Sequence, residues 1–279
     1  MDKLLIVDGS NLLFQMFYGM PARIVGANGR AIQGTLGFVG ALLKIIRMTA
    51  PTHVLAVFDG ECENPRRELD EAYKGNRPDY SQLPEEDTPF SQLPDIYAAL
   101  DVLGICHRET ENCEADDWIA AYAKLREDLE VVIASQDSDF YQLITPGVSV
   151  LRYRGKQSQL CDPAYIREKL GIEPGQYAAF KALTGDTADN IRGADKIGPK
   201  TAAQLMNRFG DLKTLLEQAE QITKPSIRES VIRNAQRISK NYELIVLEGQ
   251  ATLPFDLSRL RWQDGGMTTT QVLQKLGLK

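Results

Sequence analysis

Short aliphatic and β-branched runs alternate in the amino-terminal half of the chain with stretches whose apolar positions recur every three or four residues. This alternation signals a mainly parallel sheet wrapped by helices. The pattern predicts strands at Leu4–Val7, His53–Phe58, Glu130–Ala134 and Val148–Arg152. Gly34–Met48 carries Leu36, Val39, Leu43 and Ile46 on one helical face, and Gln92–Leu103 and Glu114–Arg126 also read as helices. Each of the first three strands stops at a carboxylate or just short of one: Asp8, Asp59, and Asp137 after Ala134-Ser135-Gln136. In an open α/β sheet the ligand crevice lies beyond the carboxyl ends of the strands, so these acids should meet in one crevice.

Two stretches break the alternation. Gly60 to Pro94 holds Pro65, Pro78, Pro84, Pro89 and Pro94 among mixed charges, too long and too punctuated for an ordinary connection; it reads as a mobile insertion above the sheet edge. From about Gln176 onward the pattern is helical, with turns marked at Gly193, Gly198-Pro199, Gly210 and Pro225. No repeat of fixed period and no low-complexity tract interrupts it. The expected division is an α/β domain over 1–175, with the insertion at about 60–94, followed by a helical subdomain and tail over 176–279.

Composition narrows the chemistry. With 279 residues, 43% hydrophobic and 25% charged, the chain can bury a sizeable core as one large domain or two unequal ones. The apolar run Leu4-Leu5-Ile6-Val7 is far short of a secretory core or of the roughly 20 residues a membrane span needs, so a cytoplasmic protein is expected. Cys62, Cys106, Cys113 and Cys161 form no C-x-x-C pair, which removes a zinc ribbon and argues against a disulfide scaffold. His53 and His107 are the sole histidines, so any metal chemistry must run on carboxylates. The net charge of −6 argues at first against a nucleic-acid partner, but Arg192–Lys240 holds ten basic and five acidic residues, a local +5.

The acids gather in five clusters: Asp8; Asp59; Glu114, Asp116 and Asp117 at a helix start; Asp137 and Asp139; Asp186 and Asp189 in a Gly-led turn. Any one of them is an ordinary cap or turn former. Nine acids in five clusters, three of them at strand ends, exceed what capping explains. Three carboxylates in one helical turn repel one another unless a cation neutralises them, and hard oxygen ligands in this number suit magnesium or manganese, not zinc. Without these nine the net charge would be +3 instead of −6.

The stretches LLIVDGSNLL, PTHVLAVFDG, RRELDEAYKGNRPDY, CEADDWIA, SQDSDFYQL, KALTGDTADNIRG and KIGPKTAAQL, in this order, resemble the 5′-nuclease family of DNA polymerase I amino-terminal domains, bacteriophage 5′-exonucleases and flap endonucleases. The resemblance covers roughly residues 3 to 250 and is that of a stand-alone, bacterial-type member, which implies the bacterial cytosol or nucleoid. It implies a PIN/5′-nuclease-like α/β fold with a helical arch insertion and a helix-three-turn-helix carboxyl-terminal subdomain. It also implies a magnesium-dependent 5′-3′ exonuclease and 5′-flap endonuclease of the kind that serves DNA replication and repair. By resemblance, Asp8, Asp59, Glu114 and Asp116 surround one metal, with Asp117 in the same shell or just outside, and Asp137, Asp139, Asp186 and Asp189 surround the second. Two Mg2+ ions about 3.5–4 Å apart, or Mn2+ in their place, would then drive an in-line phosphodiester displacement.

The insertion, matching the family's arch, holds Arg66, Arg67, Tyr73, Lys74 and Arg77. On a helix, Lys74 and Arg77 would present adjacent charges to one phosphate, with Lys74 taking part in catalysis and Tyr73 stacking on a base. Yet Glu61 to Phe90 carries nine acids against four bases, so the insertion as a whole is acidic. Ile197-Gly198-Pro199-Lys200-Thr201-Ala202 resembles the element by which the family grips duplex DNA through backbone amides, without reading sequence and often with K+ held by loop carbonyls. Arg192, Lys196, Gly198, Lys200 and Thr201 are the corresponding contacts. Gln15 stands where polymerase-linked domains commonly have Arg, which implies a weaker hold on the scissile phosphate, and Arg192 stands where they have Pro. Trp118 and Phe140 read as core. The expected partner is DNA with a 5′ flap or 5′ end, branched or duplex, bound by a monomer with no membrane involved. The alternatives are a ribonuclease of the same superfamily and a non-catalytic branched-DNA-binding module, which would have no need of nine retained acids.

Overall fold

A computed structural model describes residues 2–20, 22–60, 65–125 and 128–279; Cys62 and Arg126 lie outside them. The elements run β1 (Lys3–Asp8), α1 (Gly9–Gly19), α2 (Gln33–Thr49), β2 (His53–Phe58), α3 (Pro65–Leu69), α4 (Leu93–Leu103), β3 (Cys106–Glu109), α5 (Ala115–Ala123), β4 (Glu130–Ala134), β5 (Val148–Arg152) and β6 (Gln159–Cys161). They continue through α6 (Pro163–Leu170), α7 (Tyr177–Thr184), β7 (Gly185–Asp186), β8 (Ile191–Arg192), α8 (Pro199–Phe209), α9 (Leu212–Glu217), α10 (Pro225–Arg233), α11 (Ala235–Ile245) and α12 (Thr269–Lys275).

The main sheet has the order β3-β2-β1-β4-β5-β6, parallel throughout except where β6 runs against β5. Alternate side chains leave its two faces for different cores. Leu4, Ile6, Leu55, Val57, Val131 and Ile133 pack with Trp118, Phe140 and the helices from α5 and α7 onward. Leu5, Val7, Val54, Ala56, Val132 and Ala134 pack against α1, α2 and α4. Burial on both faces is why these strands read as continuous apolar runs instead of alternating ones. The chain order reverses between β1 and β4, which makes their carboxyl ends the switch point of the sheet.

Strands β2, β4 and β5 coincide with the spans the apolar runs predict. The pattern misses β3 and β6, whose short sequences Cys-His-Arg-Glu and Gln-Leu-Cys are set by pairing to a neighbour and not by their own periodicity. Helix α5 ends at Ala123 within the span predicted to Arg126, and Glu114 is its N-cap. From α7 to the end of α11 the chain is helical apart from turns and the β7–β8 hairpin, whereas 246–268, expected to be helical, is mostly irregular and carries a bridge from Arg261 to His53.

Residues after α11 return to the main sheet and the helices packed on it. Trp262 donates its backbone N–H to the Thr52 carbonyl (2.9 Å) and its indole Nε1 to the Leu103 carbonyl (2.9 Å). The Tyr122 hydroxyl donates to the Phe255 carbonyl (2.8 Å) and accepts from the Phe255 amide (3.1 Å). Helix α12 buries Val272 against α2 and α4, and Leu273 joins Ile32 and Leu278 in a small separate cluster. Among the described residues no helix is long and apolar enough to cross a membrane.

Because Leu273 is 1% exposed and its cluster is small, Leu273→Ala should destabilise the protein by about 2–5 kcal/mol through lost burial and a residual cavity. Urea unfolding checks this. A change below about 0.5 kcal/mol, the range of surface substitutions, would show that the tail contributes nothing to the fold.

Candidate active site

The acids arrive from five segments, each held by a local device. Asp8 ends β1 and caps α1: its Oδ1 accepts from the Asn11 amide (3.0 Å) and its Oδ2 from the Ser135 hydroxyl (2.7 Å). Asp59 follows β2; its amide donates to Ser10 Oγ (2.8 Å), and its Oδ1 accepts from the Ala115 amide (2.9 Å), tying this strand end to the start of α5. Glu114 and Asp117 close the capping box of α5. Asp137, in the loop after β4, donates its amide to Ser135 Oγ (3.0 Å) and accepts the Asp139 amide at Oδ1 (2.8 Å). Asp186 and Asp189 ride on the β7–β8 hairpin, where Gly185 (φ +83°) lies against Gly193 so closely that an added Cβ would come within 2.4 Å of the Gly193 nitrogen. A side chain there would open the hairpin and separate the two carboxylates.

Asp8, Asp59, Glu114, Asp116 and Asp137 line a cleft of about 1090 Å³ together with Phe14, Arg67, Arg77, Tyr80 and Phe90. Carboxylate oxygens of Asp139, Asp186 and Asp189 lie within 4.8 Å of one another in a second group. Burial, with repulsion from Asp59 and Asp137, pushes the Asp8 carboxyl up to about 7. Burial raises Asp116 well above the usual carboxylate range, with Asp137, Asp59 and Glu114 adding and Lys74 opposing. Asp139 is pushed up to about 7 by burial and Asp137, with Lys181 pulling the other way. Asp189 is raised by burial against Lys74 and Arg77, with Asp186 and Asp137 adding. One chain of repulsion therefore links eight of the nine acids, and Asp137 faces both groups. Asp117 stands aside, held by Arg66.

Divalent cations fit this donor set. It is all oxygen and partly buried, and the Asp139, Asp186 and Asp189 oxygens lie within 4.8 Å of one another, close enough to share one ion. Asp8, Asp59, Glu114 and Asp116 could hold one ion and Asp139, Asp186 and Asp189 another, with Asp137 between the two groups.

The insertion corrects one expectation. Residues 71–76 are turns and not a helix, and Lys74 takes a left-handed φ of +55° with its amide donating to the Asp189 carbonyl (3.0 Å). Asn190 Nδ2 donates to the Ala72 carbonyl (2.8 Å) and Asn76 Nδ2 to the Thr187 carbonyl (2.8 Å), docking the turn onto the hairpin loop. Lys74 and Arg77 thus face different carboxylates: Lys74 pairs with Glu114 Oε1, and Arg77 Nη2 lies 3.2 Å from Asp189 Oδ1. Tyr73 is 4% exposed and its hydroxyl donates to Glu114 (3.3 Å), so its ring is not presented for stacking. Arg66 reaches Glu114 (2.6 Å), Asp117 (2.7 Å) and the Leu244 carbonyl of α11 (3.1 Å). Buried carboxylates draw in the nearest cations, and that attraction overrides the spacing of the basic residues along the chain.

Arg192, Lys196, Gly198 and Lys200 are exposed around the start of α8, with Thr201 half-buried. Gly198 is the N-cap, no side chain caps the helix, and Arg192 pairs with Asp195 (2.9 Å). Asn241 of α11 braces this region by donating to the Ala182 (3.0 Å) and Arg192 (2.9 Å) carbonyls. Gln15 donates to the Tyr153 carbonyl (2.8 Å), as does Gln136 (2.8 Å). Trp118 and Phe140 are core. Sequence reasoning missed Ser10, Ser135 and Lys181. The two serines carry no signal beyond lying within acidic motifs, whereas a lysine inside the apolar run Ala178-Ala179-Phe180-Lys181-Ala182-Leu183 is a detectable anomaly.

Residues 3–171 match the domain family described as 5′-3′ exonuclease, N-terminal resolvase-like domain, and residues 172–267 match the 5′-3′ exonuclease, C-terminal SAM fold. The chain is 37% identical over 269 residues to DNA polymerase I of Rhizobium leguminosarum, covering 93% of this chain and 26% of that protein. It is 34% identical over 264 residues to the thermostable DNA polymerase I of Thermus aquaticus, covering 94% and 30%. It therefore spans less than a third of these two relatives. A crystal structure of a bacteriophage T5 flap endonuclease in a pseudo-enzyme-product complex with DNA and metal ions shares the fold, with a TM-score of 0.71, 22% identity and 98% of each chain covered.

Raised carboxyls have a stability consequence. Asp8 and Asp139 bind protons up to about pH 7 when folded, against an ordinary value of 3.8, so without divalent cations the folded state holds more protons than the unfolded one in this interval. Stability contributed by these groups must then fall as pH rises from roughly 4 to roughly 7 and level off above. Melting in EDTA should show this decline, a smaller decline in Asp8→Asn, and its reversal on adding Mg2+. A decline of equal size in Asp8→Asn would remove that carboxyl as a cause.

Proposed function

The chain belongs to the 5′-3′ exonuclease family, and on that premise we propose that it is a structure-selective 5′-nuclease that hydrolyses DNA phosphodiester bonds at 5′ ends and 5′ flaps with two bound Mg2+ ions. The observation that carries this reading is the convergence of eight mutually repelling carboxylates, four of them buried and three half-buried, from five separate segments beside an open cleft. Such a constellation is destabilising by itself and is explained by a function that needs it. Asp8, Asp59, Glu114 and Asp116 would hold one ion, with Asp117 beside them, and Asp137, Asp139, Asp186 and Asp189 the other. Mn2+ suits the same oxygen donors. Bound there, the ions supply an activated water and stabilise charge on the attacking and leaving oxygens.

The chain's own residues have the remaining tasks. Arg66 and Lys74 offset the charge of Glu114 and Asp117 and fix the insertion beside the cleft. Arg77, with its side chain 54% exposed, can turn from Asp189 to a phosphate, as can Arg67 on the cleft wall. Lys196, Lys200, Thr201 and Arg192 around the uncapped start of α8 would hold the duplex through phosphates, with no base read and with K+ on the loop carbonyls as an optional aid. The T5 flap endonuclease complex with DNA and metal ions has the same fold and supports the substrate class.

Asp137→Ala should reduce Mg2+-dependent cleavage of a labelled 5′-flap DNA by at least about 10³-fold while leaving DNA binding intact or tighter, because it removes the carboxylate that faces both groups. Cleavage at the normal rate would sink the two-ion assignment, and faster cutting of an RNA flap would move the activity to ribonuclease. Lys200→Ala should lower the slope of log Kd against log salt by about one counterion. An unchanged slope would remove Lys200 from the duplex contact.

A further inference from the structure

Helix α7 places one charge in an otherwise apolar run: Ala178, Ala179, Phe180, Ala182 and Leu183 are all core, while Lys181 points its ammonium at the second carboxylate group. Its Nζ lies 3.1 Å from Asp139 Oδ1 and pairs with Asp186 Oδ2, and its side chain is 12% exposed. A leucine or methionine would fill this space without the desolvation of a buried charge, so the lysine is kept for its charge.

The two groups are unequally compensated. Asp139, Asp186 and Asp189 carry three negative charges against Lys181 and Arg77, a formal −1. Asp8, Asp59, Glu114, Asp116 and Asp117 carry five against Arg66 and Lys74, a formal −3. Asp137 lies between them.

We propose that Lys181 is a positioning residue that acts as a tethered counter-cation, holding Asp139 and Asp186 together and setting the divalent-cation affinity of the second group below that of the first. The inference rests on the two-ion reading above. It makes the second group attractive to a divalent ion chiefly when a substrate phosphate adds its own negative charge, which couples occupancy to the presence of nucleic acid.

The test is Mn2+ titration of the full chain without DNA, by calorimetry and by electron paramagnetic resonance of free Mn2+, for wild type, Lys181→Met, Lys181→Gln and Lys181→Arg. The wild type should show one tighter and one weaker ion. Lys181→Met should tighten the weaker one by about tenfold, or about 1.4 kcal/mol, and leave the tighter one unchanged. Lys181→Gln should shift it in the same direction, and Lys181→Arg, which keeps the charge, should restore the wild-type pair. An unchanged or weakened second affinity in both neutral variants would make Lys181 a structural tie only and overturn the inference while leaving two ions bound. Failure of the wild type to bind any divalent ion would instead overturn the two-ion reading and this inference with it.

Discussion

Like charges crowded into a low-dielectric crevice repel strongly, and the molecule is arranged around that repulsion. Eight carboxylates gather near the carboxyl ends of a parallel sheet, where burial first and mutual repulsion second raise several of them above their ordinary range. A fold tolerates this only if the backbone around the acids is over-determined. Here it is, because Asp8 is a helix cap, Glu114 and Asp117 form a capping box, and Asp59 is bonded to Ser10 and Ala115. The same groups therefore serve the local structure and the chemistry, and their side chains have little freedom to move apart.

Cations supplied by the chain answer part of the charge. Arg66 and Lys74 sit on one group, and Arg77 and Lys181 on the other. Three of the four come from the insertion, so the charge of the site is what folds that acidic, proline-rich segment against the hairpin and α11. Glu114 alone receives Arg66, Tyr73 and Lys74. Electrostatic attraction supplies an order that the insertion's own composition does not.

Distant parts of the chain brace this arrangement. Helix α11 reaches the insertion through the Leu244 carbonyl and the hairpin region through Asn241, while the segment after it is bonded back to β2 and α4. The helical part and the sheet thus share one core on the α5 and α7 side. Arg192, on the basic surface near the start of α8, pairs across the hairpin with Gly185, next to Asp186 of the second carboxylate group.

Much of this was legible in the sequence. Four strands, β1, β2, β4 and β5, follow from apolar runs, because a parallel strand covered on both faces reads as a nearly continuous apolar stretch. The crevice follows from the acids at the strand ends, because parallel strands all point their carboxyl ends the same way. Nine acids in five clusters announced a site, since capping alone does not require so many. Only the tertiary structure decided the rest. Strands β3 and β6 are too short to show a period and exist by pairing with their neighbours. The spacing of Tyr73, Lys74 and Arg77 suggested one helical face, but their partners, Glu114 and Asp189, lie 41 and 112 residues further along the chain and are invisible to any local pattern. Lys181 shows the same limit: the sequence places a charge in an apolar helix, and only the fold reveals that two carboxylates wait for it, because charge pairing acts through space and not along the chain.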